Sequence, residues 1–190
     1  QADVVLQGYR LGSLGRRGFG LQEALQMANK RGRGIVYVDE NCYGPDGYYA
    51  ERPGWQQVAD AAVGSSYVMA QSFSCPPGQG VLPSLPISDM STGILTALTI
   101  MCALRDRTRV GGSYRGHAAL AGYNMATLDP EVGLYQREIV HKIKDKYQFP
   151  DWSSDEHVAP LYYKILDSWD KNSDLVRCEK YYVHCTEGES

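Results

Sequence analysis

The sequence predicts an α/β protein built on a parallel β-sheet with flanking helices. Short runs of β-branched apolar residues alternate with stretches of helical spacing over residues 4–39, the order typical of βαβ units. Loops rich in glycine and proline separate these elements. The clearest helical pattern stands near the middle of the chain and ends before the stop signal Gly111-Gly112.

The first elements follow from local composition. Strands are predicted at Val4–Gln7 and Gly34–Asp39, with a helix near residues 22–30 between them. The next segment, residues 43–54, is dense in glycine, proline and tyrosine and is therefore a predicted loop. A helix is predicted to follow it over residues 55–63.

Residues 75–86 contain four prolines, so this segment is predicted to hold no regular element. After it comes the strongest helical pattern, in which one apolar stripe is formed by Ile94, Leu95, Leu98, Met101 and Cys102. A strand near residues 113–120 and a helix near residues 121–127 are predicted next.

The composition of the sequence changes after Pro130. Residues 131–147 are amphipathic and rich in lysine, and residues 160–169 again have helical spacing, so both are predicted peripheral helices. We therefore expect two parts. Residues 1–127 would form an α/β domain, and residues 128–190 a mainly helical extension or linker.

Composition excludes several classes of protein. The 190 residues include 43% hydrophobic and 22% charged residues with a net charge of −3, which does not indicate a nucleic-acid partner. The longest apolar stretch, residues 93–104, is shorter than the roughly 20 residues that cross a bilayer, so no membrane span is predicted. Five cysteines without CxxC spacing argue against a disulfide framework or a zinc site.

The cysteines fit a reducing compartment, so we expect an intracellular protein, most simply cytoplasmic, with a mitochondrial or peroxisomal location left open. The first residues have no features of a signal peptide and are typical of a buried strand. We expect the chain to be part of a longer polypeptide, although a processed start would look the same.

The polar segment Ser88 to Gly93 opens the strongest helix and allows two interpretations. In the first, Asp89, Ser91 or Thr92 caps the helix, which stabilises it by about 1 kcal/mol; the residues alone favour this interpretation. In the second, Asp89 is a nucleophile. The positive end of the helix dipole keeps its carboxylate ionised, and nearby glycines let a bulky substrate approach.

A family resemblance favours the second interpretation. Residues 85–94, LPISDMSTGI, followed by Gly-Gly-Ser at 111–113, resemble the family III CoA-transferases of the CaiB/BaiF type. Two upstream blocks, residues 3–19 and 35–47, resemble the same family in the same order, so the likeness covers about residues 1–125. It implies that residues 1–127 are a partial Rossmann-like CoA-binding domain with Asp89 as its catalytic residue, corresponding to the family's large domain. It also implies an interlocked homodimer.

The resemblance implies a chemistry and a site. Asp89 would attack an acyl-CoA thioester and carry CoA to a carboxylic acid through an anhydride and an aspartyl-CoA thioester, without a metal. Coenzyme A would enter only as the acyl-CoA substrate, and water would have to be excluded. Trp55 would line the pocket. The residues that would contact CoA are Gly8, Tyr9, Arg10, Arg16, Tyr43 and Gly44.

The sequence departs from the family in two places. In the racemase branch of the family, a histidine opens the helix at the position of Trp55. An indole cannot shuttle a proton, so a two-base racemase is disfavoured unless His117 takes the role of that histidine. The family's glycine-rich lid and small domain have no counterpart in these residues. Two alternatives stay open: an acyl-CoA racemase or isomerase of the same family, and an inactive CoA-binding homologue with a structural role.

Overall fold

The computed structural model describes residues 2–174 and contains a three-stranded, fully parallel sheet. The strands are β1 (Val4–Gln7), β2 (Val36–Asn41) and β3 (Tyr114–Ala119), in the order β1-β2-β3. Their register places Gln7, Asp39 and His117 side by side across the sheet. The prediction of an α/β fold with a parallel sheet is confirmed.

Seven α-helices accompany the sheet within the described residues. They are α1 (Leu21–Lys30), α2 (Gln56–Val63), α3 (Ser65–Ser72), α4 (Ile87–Val110), α5 (Leu120–Leu128), α6 (Arg137–Tyr147) and α7 (Val158–Asn172). Six of them match predicted helices within a few residues. Helix α3 and a short 3-10 helix at Gly15–Arg17 were not predicted, because neither segment has apolar residues at helical spacing.

The chain packs as two compact units. Among the described residues, the first contains 2–66 and 86–134, and the second contains 67–85 and 135–174. The predicted division between residues 127 and 128 stays a prediction. That residues 67–85 join the later helices was not indicated by the sequence.

The core of the first unit lies on both faces of the sheet. On one face, Ala24 and Ala28 of α1 pack near Tyr37. On the other face, Ala103 of α4 packs against Val36 and Val38, both fully buried. Two helices therefore cover the sheet from opposite sides, which explains why β2 is apolar on both faces.

Helix α4 lies along the sheet with its first turns near the carboxyl ends of the strands. Thr96 donates a hydrogen bond to Glu40, near the end of β2, over 3.0 Å. At the other end of α4, Arg107 donates to the backbone carbonyls of Asp3 and Gly34, which precede β1 and β2. This direction brings Asp89, in the first turn, to the carboxyl edge of the sheet.

The apolar stripe of α4 is not the face that packs on the sheet. Its members Ile94, Leu95, Leu98 and Met101 are exposed, together with Met90. The buried residues of the helix are the small or hydroxyl-bearing Ser88, Thr92, Thr96 and Ala103. Small side chains allow α4 to approach the sheet closely: a Cβ added to Gly116 of β3 would lie 2.5 Å from Cγ2 of Thr99.

The 24 residues of α4 make it longer than the apolar stretch counted in the sequence. By length and composition alone this helix could cross a membrane, a test that core helices of soluble proteins also pass. One side of α4 packs against β2 and β3, whereas most of its apolar stripe stays exposed in the first unit.

The second unit has its own core, formed by residues 67–85, the segment before α7 and helix α7. Leu161 and Ile165 of α7 are buried there with Val81. Phe73 and Trp152 stack with their ring centroids 3.8 Å apart. This aromatic stack joins the residues just after α3 to the residues before α7.

Candidate active site

Three chain segments meet at the carboxyl edge of the first unit. Strand β1 leads into the turn of residues 8–18, β2 leads into the loop of residues 42–54, and α4 begins with Asp89 in its first turn. Ligands of open parallel sheets bind in the crevice outside the carboxyl ends of the strands. The predicted site residues therefore lie on the edge where a ligand is expected.

Asp89 is not used as a helix cap. The N-cap position is Pro86, which has no capping side chain, and the first hydrogen bond of the helix runs from the N–H of Met90 to the carbonyl of Pro86. No hydrogen bond or ion pair joins the Asp89 carboxylate to another residue within 2–174. The capping interpretation is wrong for this residue, and its carboxylate is left available.

Partial burial raises the pKa of the Asp89 carboxyl group. The helix dipole acts in the opposite direction, because the positive end of α4 favours the ionised form. The pKa is shifted upward, and the cause is the removal of the carboxyl group from water. A carboxylate with a raised pKa is a better nucleophile than an ordinary aspartate while it remains ionised.

The expected dry pocket around Asp89 is not formed by the described residues. Asp89 is exposed, and the next residue, Met90, is 67% exposed. The sheet-facing side of α4 is occupied by small buried residues instead. Water exclusion, which the proposed chemistry requires, is therefore not supplied by residues 2–174 alone.

The loop after β2 is held tightly against the strand end. Asn41 exchanges two hydrogen bonds of 2.7 Å with the backbone of Gly44, whose φ of 111° is accessible mainly to glycine. Gly54 passes so close to Cys42 that an added Cβ would lie 2.5 Å from the Cys42 sulfur. The loop is therefore a fixed element, and it brings Tyr43 and Gly44 to the carboxyl edge.

Cys42, Asp60 and Asp89 lie close enough to influence one another electrostatically. Burial raises the pKa of the Cys42 thiol, and the charges of Asp60 and Asp89 raise it further. Trp55 is the N-cap residue of α2 in the same region, and its ring is 62% exposed. Cys42, the neighbour of Tyr43, contacts the backbone of Trp55 and lies within electrostatic range of Asp89. That Tyr43, Trp55 and Asp89 form one site stays a prediction.

The turn after β1 contains the other predicted CoA contacts. Gly8, Tyr9, Arg10 and Arg16 are all exposed. The backbone N–H of Tyr9 donates to the side chain of Gln7, which fixes the start of the turn. Exposed guanidinium groups on a fixed turn can receive phosphate groups.

A cleft of about 370 Å³ lies beside this turn and was not predicted. Its walls include Gly12 and Leu14 of the turn, and its floor is polar. There, buried Asp39 accepts a hydrogen bond from Gln7 and forms an ion pair of 3.5 Å with Arg115. The alternation of polar and apolar residues in β2 could have indicated that Asp39 faces α1.

Asp60, Ser88 and Asn124 form a buried polar cluster that the sequence analysis also missed. Asp60 accepts hydrogen bonds from Ser88 over 3.1 Å and from Asn124 over 2.6 Å. The signal available in the sequence was small: Asp60 is the one charged residue of α2, within QQVADAAV. The three residues come from α2, α4 and α5, so only the tertiary structure brings them together.

His117, the histidine named as a replacement base, lies on β3. Burial lowers the pKa of its imidazole, and both ring nitrogens are buried without a partner among the described residues. The nearest charges that act on it are those of Asp39, Arg115 and Asp46. None of these contacts joins it to Asp89.

Comparison with known sequences identifies the family. A sequence model of CoA-transferase family III matches residues 1–153. The chain is 79% identical over 184 residues to an acyl-CoA transferase of Gibberella moniliformis, covering 97% of this chain and 32% of that protein. It is 38% identical over 166 residues to an acetyl-coenzyme A transferase of Hypoxylon pulicicidum, covering 86% and 27%. The chain thus spans about a third of the length of these curated relatives.

Comparison with solved structures supports the fold. The crystal structure of Rv3272 from Mycobacterium tuberculosis matches with a TM-score of 0.58 and 20% identity, covering 95% of this chain and 48% of that one. A CAIB/BAIF family protein from Brucella suis matches with a TM-score of 0.56 and 23% identity, covering 67% and 32%. Family match and fold agree, and the chain belongs to CoA-transferase family III.

Proposed function

We propose that this chain carries the nucleophile and part of the CoA site of an enzyme that transfers coenzyme A from an acyl-CoA to a carboxylic acid. The observation on which this rests is the state of Asp89. Its carboxylate stands in the first turn of α4 without a partner among residues 2–174, with a pKa raised by partial burial. Membership of CoA-transferase family III supports the reaction class.

The reaction would proceed by exchange of acyl bonds at Asp89. The carboxylate oxygen attacks the thioester carbonyl, the C–S bond breaks, and a mixed anhydride and CoA thiolate form. The thiolate then attacks the aspartyl carbonyl, which releases the donor acid and leaves an aspartyl-CoA thioester. The acceptor carboxylate reverses these two steps and departs as the new acyl-CoA.

Each step replaces one activated acyl group by another, so no oxidant or reductant is required. The negative charge that develops on the carbonyl oxygen must be stabilised, and backbone N–H groups are the donors that the start of a helix offers. The exposed position of Asp89 means that water would be excluded by groups other than the described residues, since hydrolysis would otherwise compete.

The CoA nucleotide would bind at the turn after β1. Arg10 and Arg16 present guanidinium groups that suit phosphate, and the exposed ring of Tyr9 offers a surface for the adenine. Tyr43 and Gly44 would border the pantetheine arm on its way to Asp89. The cleft beside the turn, with Arg115 at its rim, is a further place for the nucleotide.

The proposal is tested by trapping the intermediate. Purified protein is incubated with an acyl-CoA, treated with hydroxylamine, and digested for peptide mass mapping. We expect the hydroxamate on Asp89, and no label in the Asp89→Ala variant. Unchanged turnover in Asp89→Ala would exclude the proposed mechanism.

The same experiment separates the alternatives. A racemase or isomerase would exchange the α-proton of the acyl-CoA with deuterated solvent and leave Asp89 unlabelled. An inactive homologue would bind CoA without label or exchange. Trp55 at the position of the racemase histidine disfavours the first alternative, because an exposed indole offers no base.

A further inference from the structure

The residue before Asp89 is anchored in an unusual way. Ser88 is 2% exposed and donates its hydroxyl to Asp60 of α2 over 3.1 Å. The same carboxylate oxygen of Asp60 accepts a hydrogen bond of 2.6 Å from the amide of Asn124 on α5. One buried oxygen therefore joins three helices directly beneath the turn that presents Asp89.

Burying a carboxyl group at this position is costly. Asp60 is 2% exposed, burial raises its pKa, and its second oxygen has no hydrogen-bond partner among the described residues. Hydrogen bonds from Asn124, Ser88 and Gln56 oppose the rise in pKa, and the charge of Asp89 adds to it. An apolar residue at position 60 would avoid this cost, so stability alone does not explain the choice of aspartate.

The cluster of Asp60, Ser88 and Asn124 fixes the orientation of helix α4. Helices pack on one another mainly through apolar contacts, which permit small rotations and shifts. A hydrogen bond to Ser88 fixes the rotation of α4 about its axis, and the rotation of α4 determines where the adjacent Asp89 points. Reactions that depend on the alignment of two reacting atoms are sensitive to shifts of this size.

We propose that Asp60 is a positioning residue for Asp89, holding the first turn of α4 through Ser88 so that the nucleophile meets the thioester in a fixed orientation. This inference rests on the function proposed above for Asp89. Asp60 itself contacts no substrate in this proposal, and it acts only through the hydrogen bonds to α4 and α5.

The test measures the rate constant for acylation of Asp89 in a single turnover, together with the affinity for acyl-CoA. Asp60→Ala should lower the rate constant by about 100-fold, the loss expected for a misplacement of about 1 Å. The affinity for acyl-CoA should change by less than about twofold, because the CoA contacts are elsewhere. Ser88→Ala keeps Asp60 and its hydrogen bond from Asn124, and removes only the hydrogen bond from Ser88. This variant should also have a lower rate constant.

A pairwise exchange distinguishes positioning from general loss of structure. In Asp60→Asn the new amide would face the amide of Asn124, and the rate constant should fall. Adding Asn124→Asp restores the hydrogen bond with the roles exchanged, since the amide at position 60 now donates to the carboxylate at position 124. The rate constant should then return to within about threefold of wild type. Active protein is counted from the fraction of Asp89 that becomes labelled, so a loss of folded protein does not count as a loss of rate.

Ser168→Ala is the matched control, since Ser168 is also a buried serine whose hydroxyl donates to backbone carbonyls, but it lies in the second unit. It should lower the melting temperature without changing the acylation rate constant. If folded Asp60→Ala and Asp60→Asn both acylate at the wild-type rate, the positioning role is excluded. If Asp89→Ala still becomes acylated, the proposed function itself fails, which is a different result.

Discussion

Arg107 near the end of α4 forms an ion pair of 3.2 Å with Asp3 at the start of the sheet. The Arg107 side chain is 8% exposed, and its guanidinium group also donates to the carbonyls of Asp3 and Gly34. Thr96 makes the corresponding contact at the other end of the sheet, with Glu40. The helix that carries Asp89 is thus held to the sheet at both ends by polar contacts.

We expect Arg107→Gln to lower the free energy of unfolding by about 2 kcal/mol, because two hydrogen bonds from a charged group to partly buried backbone carbonyls are lost. The ion pair itself contributes little, since Asp3 is 46% exposed. Urea unfolding measures the change. Arg105→Gln, at an exposed position two residues earlier, should leave the midpoint unchanged; an equal loss in both variants would contradict this interpretation.

The second prediction concerns the close approach of α4 to β3. Gly116→Ala should destabilise the protein by about 1–3 kcal/mol, because the new methyl group would overlap Cγ2 of Thr99 at 2.5 Å. Thr99→Ser removes that methyl group and keeps the hydroxyl that donates to Leu95. The double variant Gly116→Ala/Thr99→Ser should therefore recover much of the lost stability, as measured by thermal unfolding. Additive losses would show that the clash does not involve Thr99.

The strands could be predicted to within two residues because β-branched apolar runs are local signals. Strand β2 extends past the predicted end at Asp39 to Asn41, since pairing with β3 continues through polar residues. The spacing of apolar residues also predicted α4, but it did not indicate which face of the helix packs on the sheet. The face with threonine and alanine is buried because Gly116 and the small residues permit close packing.

The motif indicated Asp89 as the candidate nucleophile, which stays a prediction, and the structure removed its competing role as a cap. Asp60 could not be found, because its partners Ser88 and Asn124 are 28 and 64 residues away in sequence. Local patterns carry no information about such contacts. The enclosure of Asp89 was expected from chemistry and is absent from the described residues, where the apolar side of α4 is open.

The third prediction tests recognition of the CoA phosphates at the turn after β1. Arg16→Gln should raise KM for an acyl-CoA about tenfold, the loss of roughly one charge-assisted hydrogen bond. KM for the corresponding acyl-pantetheine thioester, which lacks the nucleotide, should not change. Arg105→Gln serves as the control for net charge. A similar rise with both substrates would mean that Arg16 does not contact the nucleotide.

The fourth prediction concerns the core of the second unit. Trp152 is 8% exposed and stacks on Phe73, so Trp152→Ala should lower stability by about 3–5 kcal/mol. Near-ultraviolet circular dichroism of the aromatic residues during thermal unfolding measures the loss. Tyr163→Ala removes an aromatic ring that is 69% exposed on α7 and should have little effect. Equal effects of the two substitutions would contradict the burial of Trp152.

The last prediction is a pH dependence that Asp60 imposes on stability. Burial raises the pKa of Asp60 in the folded protein above that of the unfolded chain, so the folded state binds this proton more tightly. Asp60 therefore favours the folded state most below the ordinary aspartate value of about 4. This contribution is lost as the pH rises from there through the raised pKa.

Asp60→Asn removes the titration, so its stability should gain on wild type as the pH rises through that window. The hydrogen-bond mismatch with Asn124 adds an offset that does not change with pH. Urea unfolding of both proteins across the window gives the difference, with Asp89→Asn as a second comparison because partial burial also raises the pKa of Asp89. A difference that stays constant with pH would mean that Asp60 has an ordinary pKa in the folded protein, and that its burial in the cluster costs less than the structure indicates.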